Sequence, residues 1–390
     1  MFNERNRIIQ TVAFAILGLL ATPSSCQRTW LVDTLRGVGS DFSDVQPAID
    51  AASAGDLVLV RTGISHFYTG FTIRKGVSVM CEQRGGGYRV TSNVVIRDVP
   101  SGARVSLSGY VGFDASSLIL ENNLGSVSIE KCQTGSQAAQ IFIRASREVV
   151  LNEVTTLGVQ ISSSFVTVNR GINGSGFAAA PLLPAHDSVV VLGNSVLVVT
   201  LGHYDFQRCA VIYRPGDAIS GSNSVLVLGA GTELRAGRLS GSIPPCPPVF
   251  VEGYSVRGRN VHVLKDPAAT MTPVGPGVTV TTAAFPTLDG IVGDEVNGRM
   301  DFDTIGAPGS ATVLLASPPA SPLLTPMGFQ WIDFGAYLVA DVAILDPTGH
   351  RRVSFPFPAL YPLGRAMHFQ SVVLDPSGLR WSTPSAIVRN

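Results

Sequence analysis

Residues 30–76 read WLVDTLRGVGSDFSDVQPAIDAASAGDLVLVRTGISHFYTGFTIRKG. An extended strand comes first, then one short amphipathic helix, then a buried strand that opens a long series of others. Ser43 with Gln46 three positions later is a capping-box pairing, which satisfies N–H groups orphaned at a helix start. Phe42, Val45, Ile49 and Ala52 recur at helical spacing as one apolar stripe, and Pro47 sits early enough not to break the helix. Gly55 marks the stop. Leu57-Val58-Leu59-Val60 follows at once, apolar throughout, as strands covered on both faces tend to be. A stack of parallel strands has an open end, and an apolar-faced helix laid over it hides unpaired backbone and core. The order predicts the entrance to a right-handed parallel β-helix. The competing reading, a βαβ unit of a doubly wound domain, lacks a second convincing helix downstream.

The chain has 390 residues, 41 of them Gly and 25 Pro, and only 14% are charged. That is length for a large core, in strands joined by tight turns. Residues 1–27 read as a secretory signal, with Arg5 and Arg7 basic, Ile8 to Ala21 apolar, and small residues through Ser24-Ser25-Cys26. Cys26 raises lipid attachment, although Pro23 stands where such signals favour Leu. No later run is long and apolar enough to span a bilayer. Without residues 1–26 the balance is 26 basic against 27 acidic groups. No basic field exists to hold nucleic acid, and that partner class is set aside.

From Phe71 to about Pro267, short β segments recur at uneven intervals. A strand followed by Asn or Gly appears at Asn122, Asn152, Asn169, Gly193 and Gly229, in steps of 30, 17, 24 and 36 residues. A β-helix tolerates this because each turn of chain need only match its neighbours, with insertions leaving as loops. The longest insertions are Gly202–Gly221 and Leu239–Gly253. Four cysteines remain after the signal. Neighbouring strands lie roughly 4.8 Å apart and a disulfide needs Cα atoms roughly 4.4–6.8 Å apart, so only cysteines on the same or adjacent turns can bond. Cys209 and Cys246, 37 residues apart, suit one turn with a loop and are the expected pair. Cys81 and Cys132, 51 apart, span closer to two turns and are expected as thiols.

After Pro267 the texture changes. Pro- and Gly-rich segments separate longer strands, and aromatics recur at Trp331, Phe334, Tyr337, Phe355, Phe357, Tyr361, Phe369 and Trp381. This predicts a small antiparallel β-sandwich over 268–390 behind a β-helix over 28–267.

Trp30-Leu-Val-Asp33, Gly37-Val-Gly-Ser-Asp-Phe42, Val45-Gln-Pro-Ala-Ile-Asp50 and Gly55-Asp-Leu-Val-Leu-Val60 together resemble the N-terminal signature of pectin-lyase-like secreted β-helix proteins. The tail, with Gly306-Ala-Pro-Gly309, Phe355-Pro-Phe-Pro358 and Leu374-Asp375-Pro376, looks like a small β-domain that ends many secreted bacterial proteins. The fold the resemblance implies carries lyases, hydrolases, isomerases and silent surface proteins alike. Enzymes of the polygalacturonase type would bring Asn-Thr-Asp, paired aspartates and Gly-His-Gly, and the sequence has none of these. Pectate lyases would bring acidic residues around calcium, with Arg or Lys as base. Here the acidic residues of the strand region, among them Asp98, Asp114, Glu121, Glu130, Glu148 and Glu153, stand singly.

The densest local cluster is His203, Tyr204, Asp205, Arg208, Arg214 and Asp217 in the first long insertion. Arginines among aromatics suit an acidic sugar, with Arg208 or Arg214 on its carboxylate. The plainer reading is a solvated loop pinned by Cys209. His262 between Val261 and Val263 reads as an outward strand residue. Asp294, Glu295, Asp301 and Asp303 miss the spacing of a calcium loop and read as a polar strand edge. No metal set or cofactor is indicated, and calcium enters only if the protein is a lyase. The expectation is a secreted or cell-surface, non-catalytic β-helix whose partner is an extracellular polysaccharide or cell-surface glycan. The alternative is a polysaccharide lyase or glycoside hydrolase acting on an acidic polysaccharide.

Overall fold

The computed structural model describes residues 27–389, except 64, 84–85, 114, 135–138, 157, 174–187, 194–195, 201, 206–216, 231, 236–253, 295–298, 326, 357–360, 362 and 364. The signal-like segment up to Cys26, Arg208, Arg214, and the expected disulfide partners Cys209 and Cys246 lie outside the described residues. Among the described residues, no helix is long and apolar enough to cross a membrane.

The strands from Thr29–Val32 to Val278–Thr282 pair in parallel with strands one turn of chain away, as in a parallel β-helix. One residue column of the first ladder runs Leu57, Ser78, Ser106, Ser128, Val150, Thr167, Val198, Val227, Leu264 and Thr281. Its steps are 21, 28, 22, 22, 17, 31, 29, 37 and 17 residues. A second ladder joins Thr72–Ile73, Val94–Arg97, Leu118–Glu121, Ile141–Arg144 and Val159–Ser162. A third side carries Phe67–Tyr68, Tyr88–Val90 and Tyr110–Gly112, continues through Gln133 and Thr155, and reappears in Gly202–Asp205, Thr232–Arg235 and Thr270–Thr272. Inward residues such as Val58, Val79, Leu107, Ile129, Leu151 and Val168 form one continuous core along the axis. Cys81 and Cys132 fall two turns apart and are free thiols, as their spacing requires.

The recurring Asn and Gly marks belong to more than one corner. Asn152 and Asn169 are ladder partners. Asn122 instead follows a second-ladder strand, at a corner where Asp98, Asn122, Ala145 and Ser163 all take left-handed φ (55, 54, 45 and 49°). Only the first two are residue types that favour this conformation. Stacking imposes it on the others. Just inside that corner the buried Asn123 donates to Ile96 O and Ser146 Oγ and accepts from Val99 N, tying successive turns together.

The helix is Val45–Ala51, with Val45, Ala48 and Ile49 buried over the end of the stack. Its cap is Asp44, not Ser43, and Asp44 accepts from Val45 N. Gln46 does not reach back to form the expected box. Its Oε1 accepts from Thr72 N and its Nε2 donates to Asp50. A carboxylate one residue later, itself held by the Thr69 hydroxyl, displaces the serine.

Parallel pairing persists for two strands beyond residue 267, Thr270–Thr272 and Val278–Thr282, and antiparallel pairing starts at Thr287. The first Pro/Gly-rich segment, expected within the antiparallel tail, is the corner of one more turn of the coil: Val274 bridges Val256, and Gly277 has φ 73° with Gly258 against it. A Cβ on Gly277 would run into the Gly258 carbonyl. Gly277→Ala is expected to lower stability by about 1–3 kcal/mol, measured by chemical denaturation.

Beyond Thr287 two antiparallel sheets enclose one core. Leu288, Met300, Phe302 and Phe355 come from one sheet, and Leu314, Ala340, Met367, Phe369 and Ile387 from the other. Asp303 does not lie on a strand edge. Its strand Arg299–Ile305 is central in its sheet, and the carboxylate meets His350 and Arg352.

Candidate functional site

Strand periodicity puts every second residue of the first ladder on its outer face. That column set includes Ser78, Arg104, Ser106, Ser108, Ser126, Ser128, Glu130, Glu148 and Thr167. It gathers two carboxylates and an arginine among small hydroxyls, a set a solvent-facing catalytic surface would need. The antiparallel unit covers it. Glu130 and Glu148 are each 3% exposed, Ser128 3% and Thr167 1%. Further along, the outer face turns apolar, and Trp331 docks there among Phe165, Val225, Val227, Leu264 and Phe285. Trp331 meets Phe165 edge-on, with ring centroids 4.9 Å apart. Thr287 closes the seam by accepting from Ala230 N at 2.9 Å.

At the centre of the covered face, His368 Nε2 lies 3.4 Å from Glu148 Oε1. Burial pushes the Glu148 carboxyl up to about 8, against the pull of Arg104, a Ser126 hydrogen bond and Arg147. Burial lowers His368 to about 3, and the Arg104 cation acts in the same direction. At pH 7 the pair is therefore a protonated carboxyl beside a neutral imidazole. Taking both charges out of water costs more than their attraction returns.

The third side remains open. Phe67, Arg89 and Val111 form one outward column, opposite Tyr68, Tyr88 and Tyr110, which are buried in the core. Phe67 (40% exposed) and Phe113 (45%) meet edge to face with centroids 5.6 Å apart. The Arg89 guanidinium lies 5.5 Å from the Phe67 ring centre. The segment is braced from behind. Asp33 accepts from Leu35 N, Gly37 N and Arg61 Nη1 and meets His66, the residue before Phe67. Burial works to raise the Asp33 carboxyl, but these partners outweigh it and hold it below the usual range.

Three residues of the sequence-predicted cluster fall on this same side. His203, Tyr204 and Asp205 belong to the strand Gly202–Asp205, whereas Asp217 opens the strand Asp217–Leu228 on the second ladder. Register pairs His203 with Glu233 and Asp205 with Arg235, adding an acid and a base one turn on that loop composition did not reveal. Phe67, Arg89 and Phe113 were also missed, because a lone aromatic next to a core tyrosine gives no signal in sequence. His262 points outward, as its neighbours require. Of the tail aromatics, Trp331, Phe355, Phe369 and Trp381 are core, while Phe334 and Tyr337 are exposed and packed edge to face.

No known family profile matches the chain, and no curated protein matches it. Among solved structures it is similar to the enzymatically active domain of tailspike protein 2 of bacteriophage CBA120, at 11% identity and a TM-score of 0.24. The match covers 93% of this chain and 71% of the tailspike chain. A TM-score of 0.24 is too low to equate the two folds.

Proposed function

We propose that the protein is an extracytoplasmic right-handed β-helix of the pectin-lyase-like kind that binds a cell-surface or extracellular glycan without turning it over. The observation that carries this is the open third side. A rigid parallel sheet there presents Phe67, Arg89 and Phe113 side by side, and exposed aromatics on a fixed scaffold suit the flat faces of sugar rings. The strand Gly202–Asp205, which carries His203, Tyr204 and Asp205, continues that side toward the far end of the coil. The two carboxylates gathered on the first ladder, Glu130 and Glu148, are instead under the antiparallel unit, which acts as a fixed cover.

The reading is tested by titrating acidic and neutral polysaccharides into the purified protein, with and without calcium, while products are followed by mass spectrometry. Binding without products is expected. Phe67→Ala and Phe113→Ala are each expected to weaken binding about tenfold, as for a central aromatic contact. Undiminished binding in both variants would overturn the placement. The enzymatic alternative has one feature in its favour: burial raises the Glu148 carboxyl to about 8, the direction a general acid needs. Oligosaccharide products that vanish in Glu148→Gln would establish that alternative.

A further inference from the structure

Two arginines lie on the seam between the parallel coil and the antiparallel unit. Arg104 stands on the outer face of the first ladder, in the column that continues to Ser126 and Glu148. One step before it in that column is Gly76, packed against the Arg104 backbone, and before that Gly55, which donates its N–H to Gly76 O. Arg365 comes from the other unit. Its Nη2 lies 2.8 Å from where a Cβ on Gly55 would sit. Three residues later His368 reaches Glu148 in the same column. The segment 365–368 thus runs along the column from Gly55 to Glu148, with Arg104 between the two contacts.

Neither guanidinium has a hydrogen-bond or ion-pair partner among the described residues. Both are only half-buried, so each keeps an approach from solvent. Glu148 is the nearest acid on the column and is protonated at neutral pH, so it does not neutralise them. Burial, and then the Arg104 cation, hold Arg365 below the usual guanidinium value. Two forked, unpaired cations that feel one another across a half-buried seam are unfavourable alone. They form a ready receptor for an oxyanion, which each can meet with paired N–H groups.

We infer that Arg104 and Arg365 form an anion-binding site between the two units, taking a carboxylate, sulfate or phosphate group. The site lies on the covered ladder, away from the open third side, and does not depend on glycan binding there. It also gives the antiparallel unit a ligand-dependent clamp, since one arginine comes from each part.

The test is calorimetric titration of the full protein with inorganic sulfate, inorganic phosphate, and glucuronate against glucose. Anions are kept below about 10 mM, where general stabilisation by excluded sulfate is small. At least one anion is expected to bind, with affinity falling about tenfold or more in both Arg104→Gln and Arg365→Gln. Arg144→Gln, on the second ladder, is expected to bind the anion as the parent does. Response to sulfate or phosphate alone would identify a free or esterified oxyanion, and preference for glucuronate a sugar carboxylate; either supports the site. Binding unchanged in both arginine variants, or no binding of any anion, overturns it. Should the Gln variants fail to fold, Arg365→Lys keeps the charge without the fork. Hydrogen exchange of the parent protein then decides, with slowing confined to Arg104–Ser108 and the start of Ala366–Asp375 expected on anion addition, and no local slowing overturning the proposal.

Discussion

Trp331→Ala is expected to lower stability by about 3–5 kcal/mol, the range for truncating a large buried aromatic. Trp331 is 1% exposed and fills the apolar half of the seam, against Phe165, Val225, Val227, Leu264 and Phe285. The loss should fall on docking of the antiparallel unit, not on the coil, because the coil core is formed by other residues. Melting should therefore separate into two transitions, and a protease should gain access between Thr282 and Thr287. Trp331→Phe provides the contrast. It keeps a ring against Phe165 and removes an indole N–H that is buried with no partner, so a change below about 1.5 kcal/mol is expected. A single unshifted transition in Trp331→Ala would show that the seam does not hold the unit in place.

Stability is expected to be flat from about pH 4.5 to 6.5 and to fall on both sides, because of Glu148 and His368. Glu148 moves from 4.5 to about 8 on folding, so the folded protein holds an extra proton between those values. That contribution is fully present below 4.5 and is lost as pH rises toward 8. His368 moves from 6.5 to about 3, so the unfolded chain holds an extra proton between those values. Its contribution is fully present above 6.5 and is lost as pH falls toward 3. In the overlap the two slopes cancel. Outside it each limb approaches about 1.4 kcal/mol per pH unit, or about 2 kcal/mol over its length. Denaturant midpoints across pH 3–8 measure this. Glu148→Gln should remove the alkaline limb and leave the acid one. An alkaline limb of unchanged slope in that variant would assign it to other groups.

The local pattern carried a good deal. The apolar stripe Val45, Ile49 and Ala52 fixed the helix that covers the stack, and Leu57–Val60 and Val225–Leu228 declared themselves as strands. The two-turn separation of Cys81 and Cys132 followed from the length of a turn. Ser43 and Asp44 were harder to separate, since either side chain can cap, and the contact from Thr69 decided between them. The corner at Gly277 was misleading for a similar reason: Pro and Gly mark a turn whether it ends a domain or begins another turn of the coil.

By itself the sequence determined the path of the chain: one capping helix, a column of parallel strands with uneven insertions, then an antiparallel tail rich in aromatics. It could do so because strand period, helix spacing and turn residues act over a few positions. Only the tertiary structure decided which outer face is open. Alternation tells that Ser128 and Glu148 point away from the coil core, as Phe67 does, but not what lies above them. That depended on Trp331 and His368, far along the chain, coming to rest on the first ladder and leaving the third side to solvent.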